Sequence, residues 1–321
     1  MNGMDKPEIL LESGTNEMEI IEFYVGRQAF GINVQKLKEI ILFDESTLTS
    51  IPGSNPSMLG TLLLRGTTYP LIDLKKHLNQ RQPKEKVENE REVVMICEFN
   101  HRINGFKVDD VNQIHRISWS DVEPIAPFIN QYKPRFTGSI HIEDREILLL
   151  DLEHIVGEFD PKSILDANNN SDPVKSGQGC FAQRQKIRIL MAEDSTIIRT
   201  NIEKVLRNAG FEGLEMFDDG EKCYQRILQL KKQADETEED IRQHFNLLIS
   251  DIEMPKMDGL TLCRKVKEEL GYKHVPVLLF SSLINPPMEG KCDSVGADGY
   301  AAKPEIEKLI KMIDHFSGIE G

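Results

Sequence analysis

Four short apolar runs between residues 186 and 304 each stop on a polar side chain, and this pattern narrows the fold more than any other feature. "KIRILMAEDS" (186–195) ends on Glu193 and Asp194, "FNLLISD" on Asp251, "VPVLLFSS" (275–282) on Ser281, and "ADGYAAKP" (297–304) on Lys303. Between the first two runs, "TIIRTNIEKVLRNAG" (196–210) has helical apolar spacing and a closing glycine. Strands alternating with helices predict a doubly wound parallel α/β sheet. In such a sheet the groups that do chemistry lie beyond the carboxyl ends of the strands, so these five residues should share one crevice. Three carboxylates brought together repel one another, and a hard divalent cation with oxygen ligands, Mg2+, relieves that repulsion. An ammonium and a hydroxyl on the other side can hold phosphoryl oxygens, which makes Asp251 the expected nucleophile of a phosphoryl transfer. In the bend after it, Glu253 can offer its backbone carbonyl to the metal, Pro255 fixes the loop path, and Asp258 reads as a turn or cap residue. Taken singly, each group has a plainer reading: strand-end acids cap helices and Lys-Pro makes turns.

The rest of the chain is of another kind. Residues 166–185, "DANNNSDPVKSGQGCFAQRQ", concentrate Asn, Ser, Gly, Pro and Gln and read as a tether. Before it the sequence repeats itself. "GTLLLRGTTYPLIDLKKHL" (60–78) aligns with "GSIHIEDREILLLDLEHIV" (138–156) at an offset of 78, and "VGRQAFGINVQKLKEI" (25–40) echoes "FNHRINGFKVDDVNQI" (99–114) at an offset of 74. The runs are short, rich in Ile, Leu, Val and Phe, and punctuated by Gly, Asn or Pro, which predicts duplicated all-β halves arranged as paired small barrels. Val34, Leu37 and Ile40 read as core or groove wall. No nucleophile elbow, phosphate loop or paired acids mark an active site there, so a docking surface is expected.

Composition removes several function classes. With 39 Lys+Arg against 53 Asp+Glu the chain is acidic, and neither half offers the basic footprint that nucleic acid or anionic lipid requires. No apolar run approaches a membrane span, and "MNGMDKPEILLESG" lacks the build of a signal peptide, so a cytoplasmic protein is expected. Five scattered cysteines without a CxxC predict free thiols, and His141 with Glu143 is too little for a metal site.

Two resemblances sharpen this reading. "FGINVQKLKEII" and "GTLLLRGTTYPLIDL" resemble signature stretches of the CheW-like coupling domain of bacterial chemotaxis. That resemblance implies a pair of five-stranded β-barrels over 17–160, docking to the regulatory domain of the histidine kinase CheA and to chemoreceptor cytoplasmic tips. It also makes Arg65 a partner-interface residue, where the residues alone read as a solvated turn arginine. Residues 186–316 resemble the flavodoxin-like receiver domain of response regulators. Glu193 and Asp194 are then the acidic pair, Asp251 the phosphoacceptor, Ser281 the hydroxyl switch, Tyr300 the aromatic switch and Lys303 the phosphoryl-binding lysine, with a cis Lys303–Pro304 peptide.

Two features depart from the receiver pattern. Residues 220–246 form a long second crossover carrying "DETEED", read as a solvated helix extension or a partner surface. Ser282 stands where a smaller residue is usual, with the Glu253 side chain near the path of an attacking water.

An extension (1–16), coupling domain (17–160), linker (161–185), receiver (186–316) and tail (317–321) together resemble a chemotaxis adaptor. Such a protein links receptors to CheA in membrane-associated arrays without entering the membrane, is regulated by phosphorylation on Asp251, and catalyses only its own Mg2+-dependent phosphorylation and dephosphorylation. A phosphate sink that drains CheA, with the first domain as a tether, is the alternative. A DNA-binding regulator is disfavoured by the acidic charge.

Overall fold

A computed structural model describes residues 14–78, 92–125, 135–159 and 178–319. Most of the expected N-terminal extension and the first part of the expected linker lie outside these residues.

The first domain is two antiparallel-dominated sheets with one parallel pairing each. Its strands are β1 (Glu17–Val25), β2 (Gln28–Asn33), β3 (Leu37–Leu42), β4 (Leu48–Thr49), β5 (Met58–Leu64), β6 (Thr67–Asp73), β7 (Val93–Phe99), β8 (Arg102–Val108), β9 (Asp110–Ser118), β10 (Phe136–Ile142) and β11 (Arg145–Leu150). One sheet runs β10-β11-β2-β1-β9; the other runs β3-β7-β8-β6-β5-β4, a sixth, two-residue strand joining the expected five. The sequence repeat is interlaced. Each sheet takes one hairpin from each repeat: β1–β2 lies beside β10–β11, and β7–β8 beside β5–β6.

The two hairpins of each sheet join along a parallel pairing, β2 with β11 and β6 with β8. At these junctions Gly31 pairs with Leu149 and Gly105 with Leu71, positions that the two sequence offsets relate to each other. A Cβ on Gly31 would sit 3.0 Å from Leu149 Cδ2, and one on Gly105 would sit 3.0 Å from Leu71 Cδ1. The glycines repeat because a leucine of the neighbouring hairpin fills the space of a side chain. Phe23, Phe30, Ile72, Met95, Phe106 and Leu150 from both sheets form a shared core with Leu152. Helices α1 (Leu74–His77) and α2 (Leu152–Phe159) follow the repeated Asp-Leu and cover its ends.

The second domain begins earlier than its sequence suggests. Helix α3 (Gln178–Arg184) falls within the expected linker. Arg184 is buried, donating from Nε to Asp314 Oδ1 at 2.8 Å and from Nη1 to the Ala209 carbonyl at 2.9 Å. A polar, glycine-containing stretch reads as a tether in isolation; its arginine finds a buried carboxylate only once the last helix is in place.

The sheet of this domain comprises β12 (Arg188–Ala192), β13 (Gly213–Phe217), β14 (Leu247–Ser250), β15 (Val277–Phe280) and β16 (Gly299–Ala301). It is fully parallel in the order β13-β12-β14-β15-β16, so the order reverses between β12 and β14. Helices α4 (Thr196–Asn208) and α8 (Ile306–Phe316) cover one face; α5 (Gly220–Thr237), α6 (Gly259–Arg264) and α7 (Pro286–Ser294) cover the other. The long crossover is a helix of 18 residues ended by Glu238 in the left-handed region, with the acidic run exposed at its end. Buried Ile241 and Phe245 then lead the chain back to β14. Asp258 caps α6, accepting the Thr261 N–H at 2.8 Å. No cis peptide occurs among the described residues, so Lys303–Pro304 is trans, contrary to expectation. All five cysteines are buried.

Two stability predictions follow from this packing. Gly31→Ala and Gly105→Ala should each destabilise the first domain by about 1–3 kcal/mol in urea unfolding, through overpacking against Leu149 and Leu71; an unchanged midpoint would contradict the close approach. The second concerns fully buried Glu22, whose carboxylate takes Arg145 Nη1 at 2.7 Å, Tyr24 Oη at 2.8 Å and Asn112 Nδ2 at 2.9 Å, with His115 Nε2 at 2.8 Å. Burial works to raise its pKa, but His115, Tyr24, Asn112 and Arg145 together hold it at about 2. Because the folded pKa lies below the unfolded one, near 4.3, this stabilisation is complete above the unfolded value and vanishes as pH falls through about 2. The stability difference between wild type and Glu22→Gln, from urea titrations at several pH values, should therefore shrink steadily below about pH 4.5.

Candidate phosphoryl site at the switch point

The reversal of strand order opens a crevice between β12 and β14, and the strand ends bring Glu193, Asp194, Asp251 and Lys303 together in it, with Ser281 at the end of the neighbouring strand. Glu193 and Asp194 follow β12, Asp251 follows β14, Ser281 follows β15 and Lys303 follows β16. Glu193, Asp251, Ser281 and Lys303 are all buried. Lys303 Nζ lies 2.8 Å from Asp251 Oδ2 and 3.1 Å from Glu193 Oε1. Asp251 Oδ1 accepts the Ile252 N–H at 2.6 Å, which aims the carboxylate out of the strand end.

Among the described residues Glu193, Asp194 and Asp251 are the one acidic group suited to an ion, with ligand atoms within 4.8 Å of one another. Burial, with repulsion from Asp251 and Asp194, pushes Glu193 well above the carboxylate range. Burial followed by repulsion from Asp251 pushes Asp194 up to about 8. Burial works against the charge on Lys303, yet the attraction of Asp251 and Glu193 outweighs it and holds the ammonium well above its ordinary range. Glu193 Oε2 is buried without a hydrogen-bond partner, 3.1 Å from the Lys303 ammonium. A three-carboxylate set with a spare buried oxygen fits a hard cation such as Mg2+.

Ser281 is anchored by its backbone, whose N–H donates to the Ala301 carbonyl at 3.1 Å, while its Oγ accepts the Leu283 N–H at 3.4 Å. Tyr300 is half-buried on the adjacent strand β16. Arg65 lies elsewhere, at the tip of the β5–β6 hairpin. There Arg65 and Gly66 both have positive φ, 50° and 83°, as a two-residue hairpin turn requires, and the exposed guanidinium pairs with Glu39 Oε2 at 2.9 Å. His141 and Glu143 sit at the β10–β11 hairpin, outside the acidic group.

The Glu253 side chain, expected near the path of an attacking water, lines the space over Asp251 and is tied to the first domain. Lys36 Nζ lies 2.7 Å from Glu253 Oε2 and 3.0 Å from Glu153 Oε1, and Asn33 Nδ2 donates to Glu253 Oε1 at 3.1 Å. Lys36 is itself buried; desolvation opposes its charge, but Glu253 and Glu153 hold it above the ordinary lysine range. Ser282 Oγ donates to Glu153 Oε1 at 2.5 Å, and the Asn100 N–H donates to the Ser282 carbonyl at 2.9 Å. Lys36, Glu153, Asn33 and Asn100 carry no local signature of such a role, because their partners lie more than a hundred residues away. A cavity of about 40 Å³ between the domains is lined by Asp151, Glu153, Asp194, Asp251, Glu253 and Lys303, among others.

The comparisons with known proteins match both domains. The CheW-like domain family matches residues 19–160, and the response regulator receiver domain family matches residues 189–314. Chemotaxis protein CheV3 of Helicobacter pylori is 33% identical over 93% of this chain and 94% of its own, and CheV2 of the same organism is 26% identical over 89% of each. Chemotaxis protein CheW of Rhizobium meliloti is 29% identical over 43% of this chain and 86% of its own. Among solved structures, the scaffolding protein TtCheW of Thermoanaerobacter tengcongensis covers 42% of this chain and 88% of its own, with 23% identity and a TM-score of 0.36. Chemotaxis protein CheY4 of Vibrio cholerae covers 40% and 98%, with 27% identity and a TM-score of 0.32. No described helix is long and apolar enough to cross a membrane. With a CheW-like domain, a receiver domain and a full-length relative matched along nearly the whole chain, this protein belongs to the CheV family of chemotaxis proteins and serves chemotactic signal transduction.

Proposed function

We propose that the protein is a cytoplasmic coupling adaptor that links chemoreceptor tips to the histidine kinase CheA and is regulated by phosphorylation of Asp251. One observation carries this reading: Asp251, Lys303, Glu193 and Asp194 meet in a buried crevice on the same chain as a CheW-like domain.

In the proposed transfer an Asp251 carboxylate oxygen attacks the phosphorus of a phosphohistidine. The P–N bond breaks as the P–O bond forms, and the imidazole leaves with a proton in place of the phosphoryl group. Lys303 is already positioned on the Asp251 oxygen and exchanges that contact for a phosphoryl oxygen. Ser281 donates its hydroxyl proton to a second phosphoryl oxygen, and Tyr300 follows it inward. Mg2+, when bound, neutralises charge between the acids and the phosphoryl oxygens; Glu193, Asp194, Asp251 and the Glu253 carbonyl would hold it. Water attack on phosphorus later releases inorganic phosphate and restores the carboxylate. The chain has no catalytic role beyond this cycle on itself. Arg65, exposed on the six-stranded sheet, belongs to the partner-binding surface.

Two measurements test this. Incubated with phosphorylated CheA and Mg2+, the wild-type chain should take up phosphoryl groups, Asp251→Asn should take up none, and Lys303→Ala should be slower by about 100-fold. Equal labelling of Asp251→Asn would place the acceptor elsewhere. In titrations with the CheA regulatory domain the full chain should bind, and Arg65→Glu should weaken that affinity at least tenfold, about 1.4 kcal/mol; unchanged affinity would move the kinase contact to another face.

A further inference from the structure

The mouth of the phosphoryl crevice is bounded by the segment after β14, carrying Glu253, and the segment after β15, carrying Ser282. The coupling domain holds both. Lys36 and Asn33 hold Glu253, whereas Glu153 and the Asn100 N–H hold Ser282. Around the rim the clamp continues: Asn16 donates to the Lys256 carbonyl at 2.8 Å and accepts the Asp258 N–H at 3.0 Å, and the Lys256 N–H donates to the Trp119 carbonyl at 2.9 Å.

We propose that this face of the coupling domain, centred on Asn33, Lys36, Asn100 and Glu153, is a latch whose partner is the chain's own phosphoryl site. The latch must open before a protein phosphodonor can reach Asp251, and the phosphoryl group then keeps it open. This deepens the function proposed above and rests on phosphorylation of Asp251.

Two physical arguments carry it. The first is access. Asp251 is 3% exposed, and the space over it between the domains is about 40 Å³, room for a few waters. A neighbouring cavity of about 280 Å³, reaching Asp151, Asp194 and Ser195, admits a small molecule. Neither space takes a phosphohistidine carried on a folded domain. The second is the linkage between adjacent residues. When the Ser281 hydroxyl turns to a phosphoryl oxygen it gives up the Leu283 N–H, which frees the segment on which Ser282 is held by its side chain and its carbonyl. In the proposed latch, movement of this segment with Ser281 weakens the contacts of Glu153 and Asn100. Whatever opens the latch favours phosphorylation, and phosphorylation favours the open latch by the same factor.

Lys36 is the residue to change, since its ammonium separates Glu253 from Glu153. Lys36→Glu puts a third carboxylate there and opens the latch by repulsion, whereas Lys36→Arg keeps the charge. The experiment uses the full chain with two readouts: hydrogen exchange at the Asn100 amide, which reports docking directly, and phosphoryl uptake from phosphorylated CheA and from acetyl phosphate.

The latch predicts that Lys36→Glu speeds exchange at Asn100 and uptake from CheA, each about tenfold, with little change in uptake from acetyl phosphate. Lys36→Arg should match wild type, and beryllofluoride with Mg2+ should speed Asn100 exchange in the wild-type chain. Should Lys36→Glu fail to fold, Glu153→Gln, which weakens both the Lys36 and the Ser282 contacts, should shift both readouts in the same direction. Faster exchange at Asn100 with an unchanged CheA rate overturns the latch, as does unchanged exchange in both variants. If the wild type accepts phosphoryl groups from neither donor, the underlying function fails instead.

Discussion

The receiver depends on one electrostatic problem: three carboxylates from two neighbouring strand ends are brought within 4.8 Å of one another under low exposure. Lys303, delivered from two strands away, touches two of them and partly offsets their repulsion. The remaining strain is visible in the upward displacement of Glu193 and Asp194. A site of this kind suits a cation, because a positive ligand relieves a repulsion that folding has already incurred.

That arrangement extends to the coupling domain. Glu253 and Ser282 flank Asp251 on separate segments, and each ends in the first domain through a buried contact. Lys36 serves the interface as Lys303 serves the crevice: a buried ammonium between two carboxylates, Glu253 and Glu153. Breaking such a buried arrangement from one side is expensive, since it leaves like charges facing each other without a counterion. The two domains are thus joined beside Asp251, so the phosphorylation proposed there would have a direct mechanical path to the coupling domain.

The first domain is organised by a different constraint, the close approach of leucine to glycine at its two parallel junctions. The duplication that is plain in the sequence could have produced two self-contained halves. Exchange of hairpins instead lets each sheet draw on both repeats, and the core of Phe23, Phe30, Met95 and Phe106 spans the two sheets.

Much of this was legible in one dimension, because it rests on local or periodic signals. Apolar runs ending on Glu193, Asp194, Asp251, Ser281 and Lys303 sufficed to predict a parallel sheet and a shared crevice, since a parallel strand always presents its last residue at the same edge. The repeated Gly, Leu and Asp-Leu positions likewise revealed a duplicated β domain. Other features had no local signal. Helix α3 was hidden in a polar stretch because Arg184 becomes buried only against Asp314. The interlacing of the repeats was hidden because similarly patterned hairpins can pair within or between halves on paper. The contacts of Lys36 and Asn33 with Glu253, and of Glu153 with Ser282, join residues 129 to 220 positions apart, counted between 33 and 253 and between 153 and 282. Sequence by itself determined which groups could do chemistry and at which strand ends they stand; the tertiary structure alone decided what faces them, because burial, unlike periodicity, is a property of two surfaces meeting.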